Sequence, residues 1–207
     1  VALSLSGVTP KRIGILGGSF DPPHLAHLAL GQAAVAQLAL DGLCVVPTGQ
    51  AWHKSRALTE ATHRLAMTQL AFEPIAQAWV DARETLRSGP SYTIDTLREL
   101  RTAFNQAELF LIIGGDQAQA LTSWQAWQEI VQSATICVAD RPDSTGVRAI
   151  FDAEKTFPER FFHLQMPSMA ISATDIRSAI STHQNVTALV GESVARYIAD
   201  HHLYLIA

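Results

Sequence analysis

Two short segments, far apart in the chain, carry residue types and spacings suited to phosphate chemistry. One is Gly17-Gly18-Ser19-Phe20-Asp21-Pro22-Pro23-His24-Leu25-Ala26-His27, and the other is Ile171-Ser172-Ala173-Thr174-Asp175-Ile176-Arg177. Glycine leaves room for a phosphate to reach backbone amides, and amides at a helix N-terminus favour an anion. His24 and His27, three apart on a first helical turn, project from nearly the same face and can donate to neighbouring phosphate oxygens. Pro22 and Pro23 fix the approach to that helix without removing a needed donor. In the second segment Ser172 or Thr174 caps a helix whose Ile176 and Ile180 face inward while Arg177 points to solvent or ligand. Taken singly, a His pair is also a metal half-site or polar surface, and a capped helix is ordinary. Together the segments read as two halves of one polyphosphate cradle.

Those residues need elements to position them. Ile13-Gly14-Ile15-Leu16 reads as a short buried strand, and Leu25–Leu40 has helical apolar spacing, so the glycines are expected at a strand-to-helix turn. Apolar, β-branched runs recur at Leu43–Val46, Ala78–Val80, Leu109–Ile113, Thr135–Val138 and Phe162–Met166. Between them the spacing predicts helices over Thr59–Phe72, Thr93–Phe104 and Trp124–Gln132, with two more over Thr174–Thr182 and Glu192–His201. This alternation predicts an α/β fold, a Rossmann-like doubly wound parallel sheet with helices on both faces. In that topology strands one and four are neighbours at the switch point. Gly17-Gly18 follows one and Gly114-Gly115-Asp116 the other, so two pared-down backbones are expected to face a common crevice. Asp116 either accepts from ribose hydroxyls there or caps the helix over Gln117–Leu121.

Composition narrows the function classes. With 207 residues, 48% of them hydrophobic, the chain can bury a sizeable core. Residues 12–207 are expected to form a single domain, preceded by a leader, 1–11, with no assigned function. The formal net charge of −4 argues against broad nucleic-acid binding, which needs a basic face. Cys44 and Cys137 lie in apolar runs and are expected as buried reduced thiols, in keeping with a cytoplasmic protein. The most apolar stretch, Leu28–Leu40, is too short to span a bilayer and is interrupted by Gln32 and Gln37. No His/Cys cluster has the spacing of a permanent metal site.

Other candidates lie mid-chain. Arg87-Ser88-Gly89-Pro90-Ser91-Tyr92-Thr93 is a turn leading into a helix, whose free amides around Tyr92 and Thr93 suit an anion or simply start the helix. His53 and Lys54 end a loop after the second strand and either hold a phosphate or are solvated charge. Arg141, before Pro142, is routine turn chemistry or a phosphate ligand. Trp124 and Trp127, three apart on a predicted helix, read as core.

The N- and C-terminal motifs resemble those of the nucleotidyltransferase superfamily, His-x-Gly-His and Ile-Ser-Ser-Thr-x-x-Arg. The chain is more closely similar to the bacterial nicotinate-nucleotide adenylyltransferase family, from about Ile13 to Tyr204. Ala26 replaces the usual glycine between the histidines and Ala173 the usual second serine; Ala51-Trp52 stands where the family commonly has prolines. Alanine keeps the packing at these positions if the backbone is helical, and fails if a positive φ is required.

The resemblance implies transfer of the adenylyl group of ATP to nicotinate mononucleotide, giving nicotinate adenine dinucleotide and pyrophosphate in NAD biosynthesis. It implies ATP binding by Gly17, Gly18, Ser19, Phe20, His24, His27, Ser172, Thr174 and Arg177, with His24, His27 and Arg177 catalytic. For the mononucleotide it implies His53, Lys54, Tyr92, Thr93, Asp116, Trp124 as the ring-stacking residue, and Arg141. Mg²⁺ would arrive on the triphosphate. Three alternatives remain open: another nucleotidyltransferase, such as one acting on phosphopantetheine; an enzyme preferring the nicotinamide mononucleotide; and a nucleotide sensor that releases no pyrophosphate.

Overall fold

The computed structural model describes residues 10–49, 57–139, 150–167 and 169–205. Six strands form one sheet: β1 (Arg12–Gly18), β2 (Gly42–Pro47), β3 (Ala78–Val80), β4 (Glu108–Gly114), β5 (Thr135–Ala139) and β6 (Phe161–His163). The helices that flank it are α1 (Leu25–Gln37), α2 (Ala61–Phe72), α3 (Arg83–Leu86), α4 (Thr93–Ala103), α5 (Gly115–Ala120), α6 (Trp127–Ser133), α7 (Asp152–Thr156), α8 (Ala173–Ser181), α9 (Thr187–Val190) and α10 (Glu192–Asp200). The strand order is β3-β2-β1-β4-β5-β6, and the sheet is parallel throughout. This is the doubly wound order in which β1 and β4 are neighbours. Ile13 registers with Leu109 and Leu16 with Ile112, and β4 continues in register onto β5, with Ile112 beside Cys137.

Burial on both sides explains why these strands read as continuous apolar runs rather than alternating ones. All six residues of β2 are buried, as are Leu109–Ile113 in β4. Cys44 and Cys137 are buried thiols outside any disulfide, and burial pushes the Cys137 thiol up to about 12, so it behaves as a small apolar side chain.

By contact density the chain divides into two compact units. One comprises Val1–Leu16, Ala33–Cys44 and Tyr92–Met166; the other comprises Gly17–Gln32, Val45–Ser91 and Pro167–Ala207. In the first, Gly14 sits mid-strand where an added Cβ would press on side chains of Leu40, Ile112 and Leu43. Arg12 bridges it from the edge, donating to the Leu38 carbonyl and to Glu108 while its guanidinium lies 4.5 Å from the Phe110 ring centroid. In the second unit, α2 turns Met67, Ala71 and Phe72 inward, and α10 does the same with Val194 and Ile198.

Several boundaries differ from those the spacing predicts. The first helix ends at Gln37 rather than Leu40 because the chain turns at Ala39, whose φ is +46°. β6 covers only Phe161–His163, and Leu164 continues the pairing with just one bond, its N–H to the Val138 carbonyl. The α6 helix begins at Trp127 because Ala126 adopts a left-handed conformation, so Trp124 is not on a helix with Trp127. Trp127 packs edge-on against Phe157, both half-buried, while Trp124 stands before the helix in extended backbone, half-buried.

Two glycines separate packing from function. At Gly49 a Cβ would collide with the backbone carbonyl of Glu84, which cannot swing away, whereas at Gly17 a Cβ meets no atom within 4 Å. Gly49→Ala should therefore lower stability by about 1–3 kcal/mol, and Gly17→Ala should stay within about 0.5 kcal/mol of the parent. Urea unfolding midpoints of the two variants check the contrast, and equal midpoints would contradict it.

Candidate functional site

The segment 17–27 takes its shape from Phe20. Its φ is +46°, unusual for a side chain of that size, and its ring is 1% exposed. The ring packs edge-on against His27 at 5.0 Å and Phe72 at 5.8 Å. A Cβ on Gly18 would lie 3.0 Å from this ring, so glycine at 18 is required by close approach to Phe20. At 17 packing asks for nothing, and the backbone there is open.

His24 stands immediately before α1, and its carbonyl accepts from the N–H groups of His27 and Leu28. The two imidazoles stack with centroids 3.7 Å apart and planes inclined by 26°. The His24 backbone N–H donates to His27 Nδ1 at 3.2 Å. That bond makes Nδ1 an acceptor, so a neutral His27 ring carries its proton on Nε2 and presents it as a donor. His24 is 8% exposed, and burial pushes its pKa down to about 4. Its Nδ1 is buried and has no hydrogen-bond partner among the described residues. An orphaned polar atom of this kind costs about 1–3 kcal/mol, and a ligand oxygen would relieve it.

Arg177, on α8, donates through Nη1 to the Asp21 carbonyl at 2.7 Å and through Nη2 to Thr174 Oγ1 at 3.2 Å. The C-terminal segment is thereby joined to the loop that leads into His24. Of the two candidate caps, Ser172 takes the role: its Oγ accepts the Asp175 N–H at 3.1 Å and donates to the Asp175 carboxylate at 2.6 Å. Ile176 and Ile180 are buried, as the amphipathic spacing requires. Ala26 and Ala173 both occupy helical positions, and neither has a positive φ, so the geometry asks for glycine at neither.

Beneath the loop lies a buried polar cluster that the motifs do not announce. Asp21 is 1% exposed; its carboxylate accepts from Tyr204 Oη at 2.8 Å and from the Thr59 N–H at 3.3 Å. Arg64, 2% exposed, donates to the carbonyls of Thr59 at 2.9 Å and Ser19 at 3.0 Å. Burial pulls the Arg64 pKa down, and the Asp21 charge opposes that pull. Burial and the neighbouring Asp21 together raise the Tyr204 hydroxyl, which therefore stays a donor. The sequence signals for it are Asp21 within the motif and an arginine on the inward face of α2, beside Met67, Ala71 and Phe72.

The mononucleotide candidates in the described residues belong to the other unit. Tyr92 is the residue before α4, its carbonyl accepting from the Asp95 and Thr96 amides, and its side chain makes no capping bond. Tyr92 and Thr93 are half-buried. Asp116 lies exposed in the first turn of α5 and does not cap it; Gly114 holds that position. His53, Lys54 and Arg141 lie outside the described residues. Among the described residues no three His, Cys, Asp or Glu side chains gather to hold a metal ion, and no helix is long and apolar enough to cross a membrane.

Comparison with known proteins places these observations. Residues 15–179 match the cytidylyltransferase-like family. A protein of Albidiferax ferrireducens described as "Probable nicotinate-nucleotide adenylyltransferase" is 60% identical, with 94% of this chain and 98% of that protein covered. One from Methylibium petroleiphilum with the same description is 41% identical over 94% and 92%. The fold resembles the nicotinic acid mononucleotide adenylyltransferase of Plasmodium falciparum complexed with NaAD, at a TM-score of 0.74 and 18% identity, covering 94% of this chain and 97% of that one.

The His24 shift has a measurable consequence. An unfolded histidine takes a proton near pH 6.5, whereas the folded one resists until about pH 4, so acid draws the chain toward the unfolded state across that window. The free protein should lose stability between pH 6.5 and 4 with a contribution of up to about 1.4 kcal/mol per pH unit from this residue. Unfolding at a series of pH values should show a shallower acid slope for His24→Gln, and an unchanged slope would refute the neutral assignment.

Proposed function

The chain belongs to the cytidylyltransferase-like family and, within it, to the nicotinate-nucleotide adenylyltransferases, and from that premise we propose that it joins ATP to nicotinate mononucleotide. The 5′-phosphate of the mononucleotide attacks the α-phosphorus of ATP, the bond from that phosphorus to the β-phosphate oxygen breaks, and pyrophosphate leaves with the displaced electron pair. The product is nicotinate adenine dinucleotide. The observation that carries this reading is the bond from Arg177 to the Asp21 carbonyl, which sets the guanidinium of one motif beside the loop that presents the histidines of the other.

The attacking phosphate is already an anion, so no protein nucleophile is needed. The work left to the chain is placement and compensation of charge on the departing pyrophosphate. In this reading the open backbone at Gly17 lets the triphosphate approach the amides of Gly17, Gly18 and Ser19, and His24 and His27 donate to phosphate oxygens. Arg177 supplies the positive charge, with Ser172 and Thr174 at the start of α8 adding hydroxyl contacts. Phe20 shapes the loop through its buried ring, and its place in the ATP site rests on the family resemblance. Mg²⁺ belongs to the substrate, carried on the triphosphate and shielding its charge.

For the mononucleotide, Trp124 offers a flat indole face to the pyridine ring, and the free amides at the start of α4, around Tyr92 and Thr93, suit its carboxylate. The exposed Asp116 carboxylate suits ribose hydroxyls. His53, Lys54 and Arg141 are assigned to its phosphate by family resemblance alone. The nucleotide substrates fit work in the cytoplasm.

Pyrophosphate release with ATP and Mg²⁺ across a panel of acceptors tests the reaction. Nicotinate mononucleotide should be the preferred acceptor. Preference for the nicotinamide form or for phosphopantetheine would reassign the acceptor, and ATP binding without release under any condition would make the protein a sensor. His27→Ala should lower kcat about 10²- to 10³-fold, the scale of a preorganised donor. Trp124→Ala should instead raise KM for the mononucleotide while leaving KM for ATP near its parent value; equal damage to both would remove the stacking role.

A further inference from the structure

We infer that Tyr204, close to the C-terminal end of the chain, is a positioning residue that sets the geometry of Arg177 through Asp21; this rests on the phosphate-binding reading above. The two sides of Asp21 do different work. Its carboxylate is held by Tyr204 Oη at 2.8 Å and the Thr59 N–H at 3.3 Å, and its backbone carbonyl receives Arg177 Nη1 at 2.7 Å. A residue gripped through its side chain from two separate segments cannot pivot, so the carbonyl that orients the guanidinium is fixed in place.

Backbone conformation supplies a second, independent observation. Tyr204 has a φ of +64° and Phe20, next to Asp21, a φ of +46°, both in the left-handed region that side-chain-bearing residues avoid. Such conformations persist where surrounding contacts over-determine them, and they gather at sites where geometry matters. Here one is the donor of the bond to Asp21 and the other immediately precedes its acceptor residue. Chain direction makes the same point: after α10 ends at Asp200, residues 201–204 form a turn that returns the phenol to the loop. Met67, from α2, lies 4.0 Å from the hydroxyl at its sulfur, a weak acceptor that leaves the Asp21 carboxylate as the dominant partner.

A residue that merely staples the fold and one that positions Arg177 make different kinetic predictions. Tyr204→Phe keeps the ring and deletes only the donor. If Tyr204 acts through Arg177, this variant should lower kcat about tenfold, on the scale of lost outer-shell support, at an unchanged KM for nicotinate mononucleotide. In an Arg177→Lys background, where the bond to the Asp21 carbonyl is already disturbed, the same change should cost less than about twofold, because coupled residues are non-additive. Arg64→Lys, which keeps charge but cannot reach the Ser19 and Thr59 carbonyls together, provides a second variant with the same expected coupling. Calorimetric titration with Mg²⁺ and ATP supplies a readout independent of turnover: Tyr204→Phe should weaken ATP about tenfold in the parent and not in Arg177→Lys. Full kcat and ATP affinity with only a lowered melting temperature, or an equal tenfold loss in both backgrounds, would overturn the inference. A parent protein that binds ATP yet makes no dinucleotide would instead refute the proposed reaction, leaving the titration to judge Tyr204.

Discussion

The structure depends on where the carbonyl groups of residues 18–24 are sent. A loop that receives a polyphosphate must offer N–H groups and turn its carbonyl oxygens elsewhere, because an unpaired carbonyl facing an anion repels it, and a buried one without a donor is costly. The carbonyls of Gly18, Ser19, Asp21 and His24 are each taken by a donor of the protein itself. Gly18 accepts from the Thr48 N–H at 2.8 Å, Ser19 from Arg64, Asp21 from Arg177, and His24 from the first amides of α1. Three of these donors come from sequence-distant segments. The loop is therefore specified by its supports, and its own residues need only be small or conformationally tolerant.

Burying the supports has an energetic cost, which the cluster meets by pairing. A guanidinium at 2% exposure and a carboxylate at 1% would each be strongly disfavoured alone. Arg64 satisfies two carbonyls and lies within the field of Asp21, while Asp21 also accepts from a phenol and an amide. Such a network is worth little as net stability against an apolar replacement; its value is that removing one member leaves the others unsatisfied. Phe20 closes the apolar side. Its ring fills the space that Gly18 vacates and meets His27 and Phe72 edge-on, so the His27 imidazole is braced by aromatic packing on one side and by the His24 ring on the other.

What the sequence disclosed follows from the range of the interactions involved. The strands were legible because burial on both faces leaves unbroken apolar runs, and β3 falls on Ala78–Val80 as the run predicts. The doubly wound order was legible because alternating strands and helices leave few right-handed alternatives. The Ser172 cap and the inward pair Ile176 and Ile180 were legible because they are local. The end of α1 and the start of α6 were not: each is decided by one alanine, Ala39 or Ala126, in a left-handed conformation that composition does not signal. Hence Trp124 was placed on a helix that begins only at Trp127. Short α3, α7 and α9, of four or five residues each, fall below what periodicity can register. The Asp21–Arg64–Tyr204 cluster escaped for a different reason, since its members lie far apart in sequence and no spacing rule links them.

The two histidines illustrate how the local fold divides labour between residues that look equivalent in sequence. At 3.7 Å between ring centroids, two imidazolium cations would repel strongly, so one ring must remain neutral near physiological pH. Burial selects His24, whose pKa falls to about 4. The His24 backbone N–H fixes the tautomer of His27, and the buried Nδ1 of His24 itself has no hydrogen-bond partner among the described residues. Fixed dipoles of this kind need no reorganisation when charge migrates to a leaving group, whereas a mobile cation does. In the proposed reading the positive charge comes from Arg177, whose guanidinium is tied to the loop through the Asp21 carbonyl. In the proposed reading, separating dipole from charge would let the loop take a polyphosphate without concentrating like charges in one small volume, which is the electrostatic problem any such site has to solve.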